Sequence, residues 1–410
     1  MTGSTTDRTV VLVGTLDTKG DEYAFLRSRL EQAGVRVLVV DVGTQGPPRT
    51  PPDVPREDVA AAGGVDLAAL ATAGDRGAAV RAMCEAVPAV VRALYDEGRC
   101  AGVLAAGGSG NTAIATAAMR ALPVGVPKVM VSTMASGDTS DWVRGSDIVM
   151  MPAVTDVAGI NSVSARVLAN AAAAVAGMVT APPVELPTGR PLVAATMFGV
   201  TTPAVTAARE DLERRGYEVL TFHATGTGGM AMEGLLESGL VRGVLDLTTT
   251  ELADDLVGGV LSAGPHRLEA AGRLGIPQVV SLGALDMVNF GPRGSVPPAL
   301  AGRTFHVHNP SVTLMRTTPE ECAELGRRVG RKLSAATGPV AVFVPLRGVS
   351  AISVEGGPFV DRAADEALFA ALRSALAPHV ELHELDLDIN DPEFAAAMVA
   401  RLDDFLGGAR

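Results

Sequence analysis

The sequence predicts an α/β protein made of two Rossmann-like open parallel-sheet domains related by internal duplication. Three observations carry this. At 410 residues the chain is longer than the roughly 100–200 residues of an ordinary domain. Short β-branched runs alternate with Ala/Leu/Arg/Glu segments, the pattern of βαβ units. Hydrophobic residues make up 47% of the chain but aromatic ones only 3%, which suits parallel strands covered by small-residue helices.

Taken in order, the spacing predicts a strand over 9–13, a helix over 21–33 and a strand over 35–40. Pro47, Pro48, Pro51 and Pro52 make 46–54 a surface loop suited to act as a flap. A long helix over 77–96 follows, then a strand over 102–105, a glycine-rich turn, a helix over 111–121, a strand over 128–132 and an Ala-rich helix over 162–179. The proline-rich stretch 181–187 reads as a linker, dividing a first domain, 1–182, from a second, 188–410.

The second half repeats the pattern: a strand over 192–196, a helix over 204–215, and strands over 217–222 and 243–247. Gly275-Ile276-Pro277-Gln278 echoes Gly125-Val126-Pro127-Lys128, and the loop 224–229 aligns with 41–46, each after a second strand. Strands over 340–344 and 381–385, with helices over 365–376 and 392–406, extend the second sheet.

A formal net charge of -12 disfavours a nucleic-acid partner, which needs a basic surface. Cys84, Cys100 and Cys322 form no Cys-x-x-Cys pair, so neither a disulfide framework nor a zinc knuckle is expected and a reducing cytoplasm fits. Residues 1–8 lack the pattern of a signal peptide, and no apolar run reaches the roughly 18 residues of a membrane span.

The clearest chemical feature is Gly107-Gly108-Ser109-Gly110-Asn111-Thr112, where a buried strand gives way to a helix. Backbone amides at such a helix start attract an anion, and glycine lets it approach. Capping by Asn111 or Thr112 within a tight structural turn is the alternative. No Lys follows at Walker spacing. Gly108/Gly110/Ala113 and Gly226/Gly228/Ala231 fit a loose dinucleotide fingerprint, the second with Asp246 twenty residues on, which keeps a nicotinamide reading open. Gly14-Thr15-Leu16-Asp17-Thr18-Lys19-Gly20 places polar groups at the carboxyl end of the first strand, with Lys19 suited to steady a phosphate. Beside the glycine turn, Asp138 or Asp141 is placed to reach a magnesium ion, a solvated loop being the alternative. In the second half Arg303, His306, His308, Asn309 and Arg316 crowd one stretch suited to an acidic substrate or acid/base work. His306 and His308 share a face if extended, as metal ligands would. Arg347 and Glu355 lie in a glycine-dense loop, 345–359, open to functional and structural readings.

These residues, with Asp41-Val42-Gly43, His308-Asn309-Pro310, the run 312–317 and Val344-Pro345-Leu346-Arg347-Gly348, make the chain resemble the Tm-one-like ATP-binding family over nearly its whole length. The resemblance implies two Rossmann-like subdomains, ATP bound with magnesium in the first, and a homodimer. It carries the nucleotide role to Gly14, Thr15, Asp17, Lys19, Gly43 and the turn from Gly107 to Thr112. Relatives fused or adjacent to a phosphoenolpyruvate-hydrolase-like barrel imply small-acid metabolism. The expectation is an ATP-dependent enzyme, a ligase or phosphotransferase, acting on a small carboxylic acid between its domains. Asp138 is assigned to magnesium, and Arg303, His308, Arg316, Arg347 and Glu355 to the acid or its chemistry. The alternatives are a nucleotide-responsive binding or regulatory protein, and a nucleotide-independent lyase or hydrolase that grips a substrate carboxylate or phosphate on the glycine turn.

Overall fold

The computed structural model describes residues 8–182, 184 and 189–407; the tail 1–7 and most of the expected linker, 183 and 185–188, lie outside the described residues. The chain divides at 185/186 into two compact units. The N-terminal unit runs β1 (Thr9–Gly14), α1 (Leu16–Gln32), β2 (Arg36–Asp41), α2 (Arg56–Ala62), α3 (Leu67–Ala73) and α4 (Arg76–Asp96). It continues β3 (Gly102–Gly107), α5 (Ser109–Arg120), β4 (Lys128–Ser132), α6 (Ser140–Val143), β5 (Val149–Pro152) and α7 (Ser164–Thr180).

Its five strands are parallel in the order β2-β1-β3-β4-β5. Strand periodicity sends Val11 and Val13 to the face covered by α4 and α5, and Val10 and Leu12 to the face covered by α1 and α7. With both faces covered, β1, β3 and β4 are buried along their whole length. The strand order reverses between β1 and β3. Crevices at such a switch point, beyond the carboxyl ends of the strands, are where open α/β sheets take ligands.

Two local differences from expectation matter. The first helix begins at Leu16 rather than near 21, because the Asp41 carboxylate at the end of β2 accepts the Leu16 amide at 3.1 Å. Thr18 and Lys19 therefore lie in a helical turn, with a kink at Lys19. The short edge strand β5 has no strand-like alternation in sequence and ends in proline.

The C-terminal unit runs β6 (Leu192–Met197), α8 (Thr202–Arg214), β7 (Glu218–His223), α9 (Thr227–Leu236), β8 (Val241–Thr248), α10 (Glu251–Val257), α11 (Ala270–Arg273) and β9 (Gln278–Gly283). There follow β10 (Met287–Phe290), β11 (Phe305–Asn309), β12 (Val312–Arg316), α12 (Pro319–Ser334), β13 (Val340–Pro345), α13 (Arg362–Ala375), β14 (Glu381–Leu385) and α14 (Pro392–Leu406). Its parallel sheet has the order β7-β6-β8-β9-β13-β14, the order of the first sheet with one strand added. That shared order is the structural form of the duplication. The antiparallel sheet β10-β12-β11, inserted after β9, has no counterpart in the first unit and was not expected from the sequence. Among the described residues no helix is long and apolar enough to cross a membrane.

Candidate functional site

At the switch point of the N-terminal unit lies a cleft of about 220 Å³. Its floor is the start of α5: Gly108, Ser109, Gly110 and Asn111. Gly108 is the N-cap, and no side chain among the described residues caps this helix. The Thr112 amide bonds to the Gly108 carbonyl at 2.9 Å, which leaves the preceding amides of the first turn to a ligand or water. Asp75, Thr318, Asp361 and Asp391 cap α4, α12, α13 and α14, whereas α2, α7, α8 and α10, like α5, have no side-chain cap among the described residues.

The walls come from separate connections. Thr15, Asp17, Thr18 and Lys19 belong to the β1–α1 junction, Thr44 and Gln45 to the loop after β2, Arg76 to α4, and Asp156 to the segment after β5. Asp17, 7% exposed, ties two of these together, accepting the Gln45 amide at 2.8 Å and the Gly46 amide at 3.3 Å on Oδ2. Lys19 Nζ donates to the Val157 carbonyl and anchors the segment bearing Asp156. Asp41 holds the Leu16 and Gly43 amides on Oδ1, and burial raises its pKa against the opposing pull of those two hydrogen bonds.

Tyr23 fixes the floor. Its hydroxyl donates to the Val13 carbonyl at 2.6 Å and accepts the Ala106 amide at 2.9 Å and Asn111 Nδ2 at 3.0 Å. Burial pushes the phenol well above its usual range, so it stays protonated. Asn111 Nδ2 also reaches the Ala106 carbonyl at 3.0 Å. Asn111 is 5% exposed, and its Oδ1, like Asp17 Oδ1, is buried without a protein partner among the described residues.

Seven residues carried over as nucleotide-binding thus line one cleft: Thr15, Asp17, Lys19, Gly108, Ser109, Gly110 and Asn111. Four do not line it. Gly14 makes room for the Tyr23 ring, whose nearest atom lies 2.1 Å from where a Cβ would stand, and Gly43 for the Asp17 carboxyl, 2.8 Å away. Gly107 abuts Asn111, and buried Thr112 bonds to Ser132 Oγ at 2.7 Å. Asp138 is exposed and its carboxylate accepts the Ser140 amide at 2.9 Å; it does not line the cleft, where the acids are Asp17 and Asp156. Arg76 and Asp156 were missed, because neither adjoins a motif and only the fold brings them to the turn.

The second-unit residues do not converge on a site. Arg316 is buried and bonded to Asp365 at 2.5 Å, to the Phe359 carbonyl at 2.8 Å and to Thr317 at 2.9 Å. Arg303 holds Glu321 at 2.9 and 2.6 Å and the Arg316 carbonyl. Both guanidiniums are therefore structural. Arg347 pairs with Asp386 at the surface, and exposed Glu355 pairs with Arg362. His308 is exposed at a register shift between Val307 and Asn309, while His306 packs edge-on to Phe359. Among the described residues no group of three or more His, Cys, Asp or Glu is placed to hold a metal ion.

The dinucleotide reading of Gly226 and Gly228 meets a specific obstacle. Glu251 Oε1 accepts the Gly226 amide at 2.7 Å and the Gly229 amide at 3.0 Å, so the protein's own carboxylate occupies the start of α9. Asp246 is paired with Arg267 at 2.5 and 2.7 Å and is not available to a ribose. Burial alone would depress the Arg267 guanidinium, but Asp246, Glu251 and Glu233 reverse this and hold it charged. After β8, where the first unit has its glycine turn, stand buried Thr248, Thr249, Thr250 and Glu251. The second unit has no glycine-rich turn at this position.

Profiles of an uncharacterised protein family (UPF0261) match residues 8–183 with its N-terminal domain and 190–406 with its C-terminal domain. A UPF0261 protein of Clostridium tetani is 50% identical over 397 residues, covering 97% of this chain and 98% of that protein. One from Rhizobium meliloti is 51% identical over 393 residues, covering 95% and 97%. The ToMV resistance protein Tm-1(GCR237) of Solanum lycopersicum is 42% identical over 412 residues, covering 95% of this chain and 55% of the tomato protein. Among solved structures, a UDP-N-acetylglucosamine 2-epimerase from Rickettsia bellii aligns with 66% of this chain and 78% of its own at 11% identity and a TM-score of 0.24. The chain belongs to the uncharacterised protein family UPF0261.

Proposed function

We propose that the N-terminal unit binds ATP, with the triphosphate on the open start of α5. One observation carries the reading: the uncapped amides at the start of α5 share one cleft with the side chains of Lys19 and Arg76. Open amides at a helix start beside two cations favour a polyanion such as a triphosphate. At about 220 Å³ the cleft is smaller than the ~300–1,000 Å³ of sites enclosing a whole ligand, so it takes the phosphate chain and leaves the base outside. Resemblance to a family named for ATP binding supports the choice of nucleotide.

Magnesium enters this reading with the phosphates, which supply most of its ligands. In this reading Asp156, an acid lining the cleft, would support it rather than Asp138, since Asp17 is taken up by the Gln45 and Gly46 amides. Bound magnesium would neutralise phosphate charge; the chain orients the phosphates through α5 and steadies the surrounding loops through Asp17 and Lys19. Consumption of ATP on a small carboxylic acid remains part of the proposal. The second unit lends it little support: Arg303, Arg316, Arg347 and Glu355 are each engaged in ion pairs with other residues, and of the residues assigned to it only His308, exposed on β11, has no such pair among the described residues. A reducing cytoplasm and a homodimer belong to the same reading, the first supported by three unpaired cysteines, of which Cys100 and Cys322 are buried.

Titration calorimetry of the full chain tests this with three probes: ATP with magnesium, inorganic tripolyphosphate, and oxaloacetate. Saturable ATP binding that exceeds tripolyphosphate binding is expected. Oxaloacetate binding that persists while ATP gives no heat would refute the nucleotide reading and favour a carboxylate site.

A further inference from the structure

We infer that Arg76 is a phosphate clamp, the side chain that closes on a phosphate held by the α5 amides. The inference rests on the nucleotide reading above and adds to it a residue outside every glycine-rich motif. Arg76 is the first residue of α4, where a cation opposes the helix dipole. Among the described residues Arg76 has no hydrogen-bond or ion-pair partner, although Asp17 and Asp156 line the same cleft. Its neighbour Asp75 is engaged as the N-cap, accepting the Ala78 amide at 2.9 Å.

The position explains the arrangement. Arg76 Nη2 lies 3.9 Å, and Val80 Cγ2 3.7 Å, from where a Cβ on Gly110 would stand, so the first turn of α4 faces the first turn of α5. An anion on the α5 amides would sit within reach of the guanidinium. Lys19, the cation singled out by its motif, is held by the Val157 carbonyl. That leaves Arg76 as the cation at the cleft with all its donors open. Amides on one side and a two-donor fork on the other suit an anion with acceptors on several sides, as a tetrahedral phosphate has.

The test compares wild type, Arg76→Ala, Arg76→Lys and Gly110→Val, all as the full chain, by calorimetry with magnesium ATP and with inorganic tripolyphosphate, and by thermal melting without ligand. The expected result is a loss of about tenfold or more for both phosphate probes in Arg76→Ala, the effect of removing charge-assisted hydrogen bonds. Arg76→Lys should recover part of the loss, and the unliganded Arg76→Ala protein should melt at or above the wild-type temperature. Arg76→Ala affinity within twofold of wild type, while Gly110→Val abolishes binding, would overturn the clamp and leave the nucleotide site standing. A lowered unliganded melting temperature would make Arg76 a structural residue and overturn it too. No binding of either probe by wild type would remove the nucleotide reading itself.

Discussion

The hydroxyl of Tyr23 receives the carboxamide nitrogen of Asn111 at 3.0 Å, joining the helix after β1 to the helix after β3 at the point where the strand order reverses. This buried bond, with the Val13 and Ala106 backbone bonds around it, sets the floor of the cleft. Tyr23→Phe takes the acceptor from the Ala106 amide and from one hydrogen of Asn111 Nδ2, whose other bond to the Ala106 carbonyl remains, and should cost about 1–3 kcal/mol in unfolding free energy. In a double-mutant cycle with Asn111→Ala the two losses should be clearly non-additive, as expected for directly bonded partners.

Gly14 exists for the same ring. A Cβ there would stand 2.1 Å from the nearest Tyr23 ring atom, a clash no rotamer change in a wholly buried side chain relieves. Gly14→Ala should destabilise by at least the ~1–3 kcal/mol of core overpacking, read in denaturant melts.

Gly110 behaves differently. It lies in a helix and a Cβ would meet nothing closer than 3.7 Å, so Gly110→Ala should raise the unliganded stability by up to about 1 kcal/mol. The same methyl lies beside the proposed phosphate position, and ATP affinity should fall by about tenfold or more, the scale of a lost charge-assisted hydrogen bond. Calorimetry and melting on one preparation check both signs.

In the C-terminal unit, removing Arg267 leaves Asp246, Glu251 and Glu233 facing one another in the interior. Arg267→Met should therefore destabilise by roughly 3–5 kcal/mol. It should leave ATP affinity in the N-terminal unit within twofold, and the wild-type stoichiometry should be one ATP per chain, because Glu251 already fills the start of α9.

Burial raises Asp254 from 3.8 to about 7, against the Asn289, Leu261 and Asn289-amide hydrogen bonds that favour its charge. A carboxyl with a raised folded-state pKa holds its proton longer when folded. Its contribution to stability is full below 3.8 and is lost as pH rises to about 7. Across that window it adds a slope of up to about 1.4 kcal/mol per pH unit, and Asp254→Asn should remove it. Denaturant melts of both proteins over the window provide the comparison.

Periodicity and glycine placement made most of the fold legible: buried strands, long helices and the repeated Gly-x-Pro turn all follow from local composition. The antiparallel insert was not, because residues 303–316 mix two histidines with two arginines and read as chemistry. In the structure Arg303 and Arg316 instead brace β12 against α12 and α13. The site was half legible. The turn from Gly108 to Asn111 carries its chemistry in adjacent residues, whereas Arg76 and Asp156 reach it only through a crossover helix and a segment after the edge strand. Glycines misled in one respect. Gly14, Gly43 and Gly107 share the pattern of ligand-approach positions but serve tyrosine, aspartate and asparagine side chains of the protein itself.

A crystal structure of the full chain grown with magnesium and a non-hydrolysable ATP analogue tests the central claim most directly. The account predicts phosphate density on the amides at the start of α5, with Arg76 turned onto it and the start of α9 still filled by Glu251. Density for the phosphates at any other place in the chain, with the α5 turn holding only water, would contradict it.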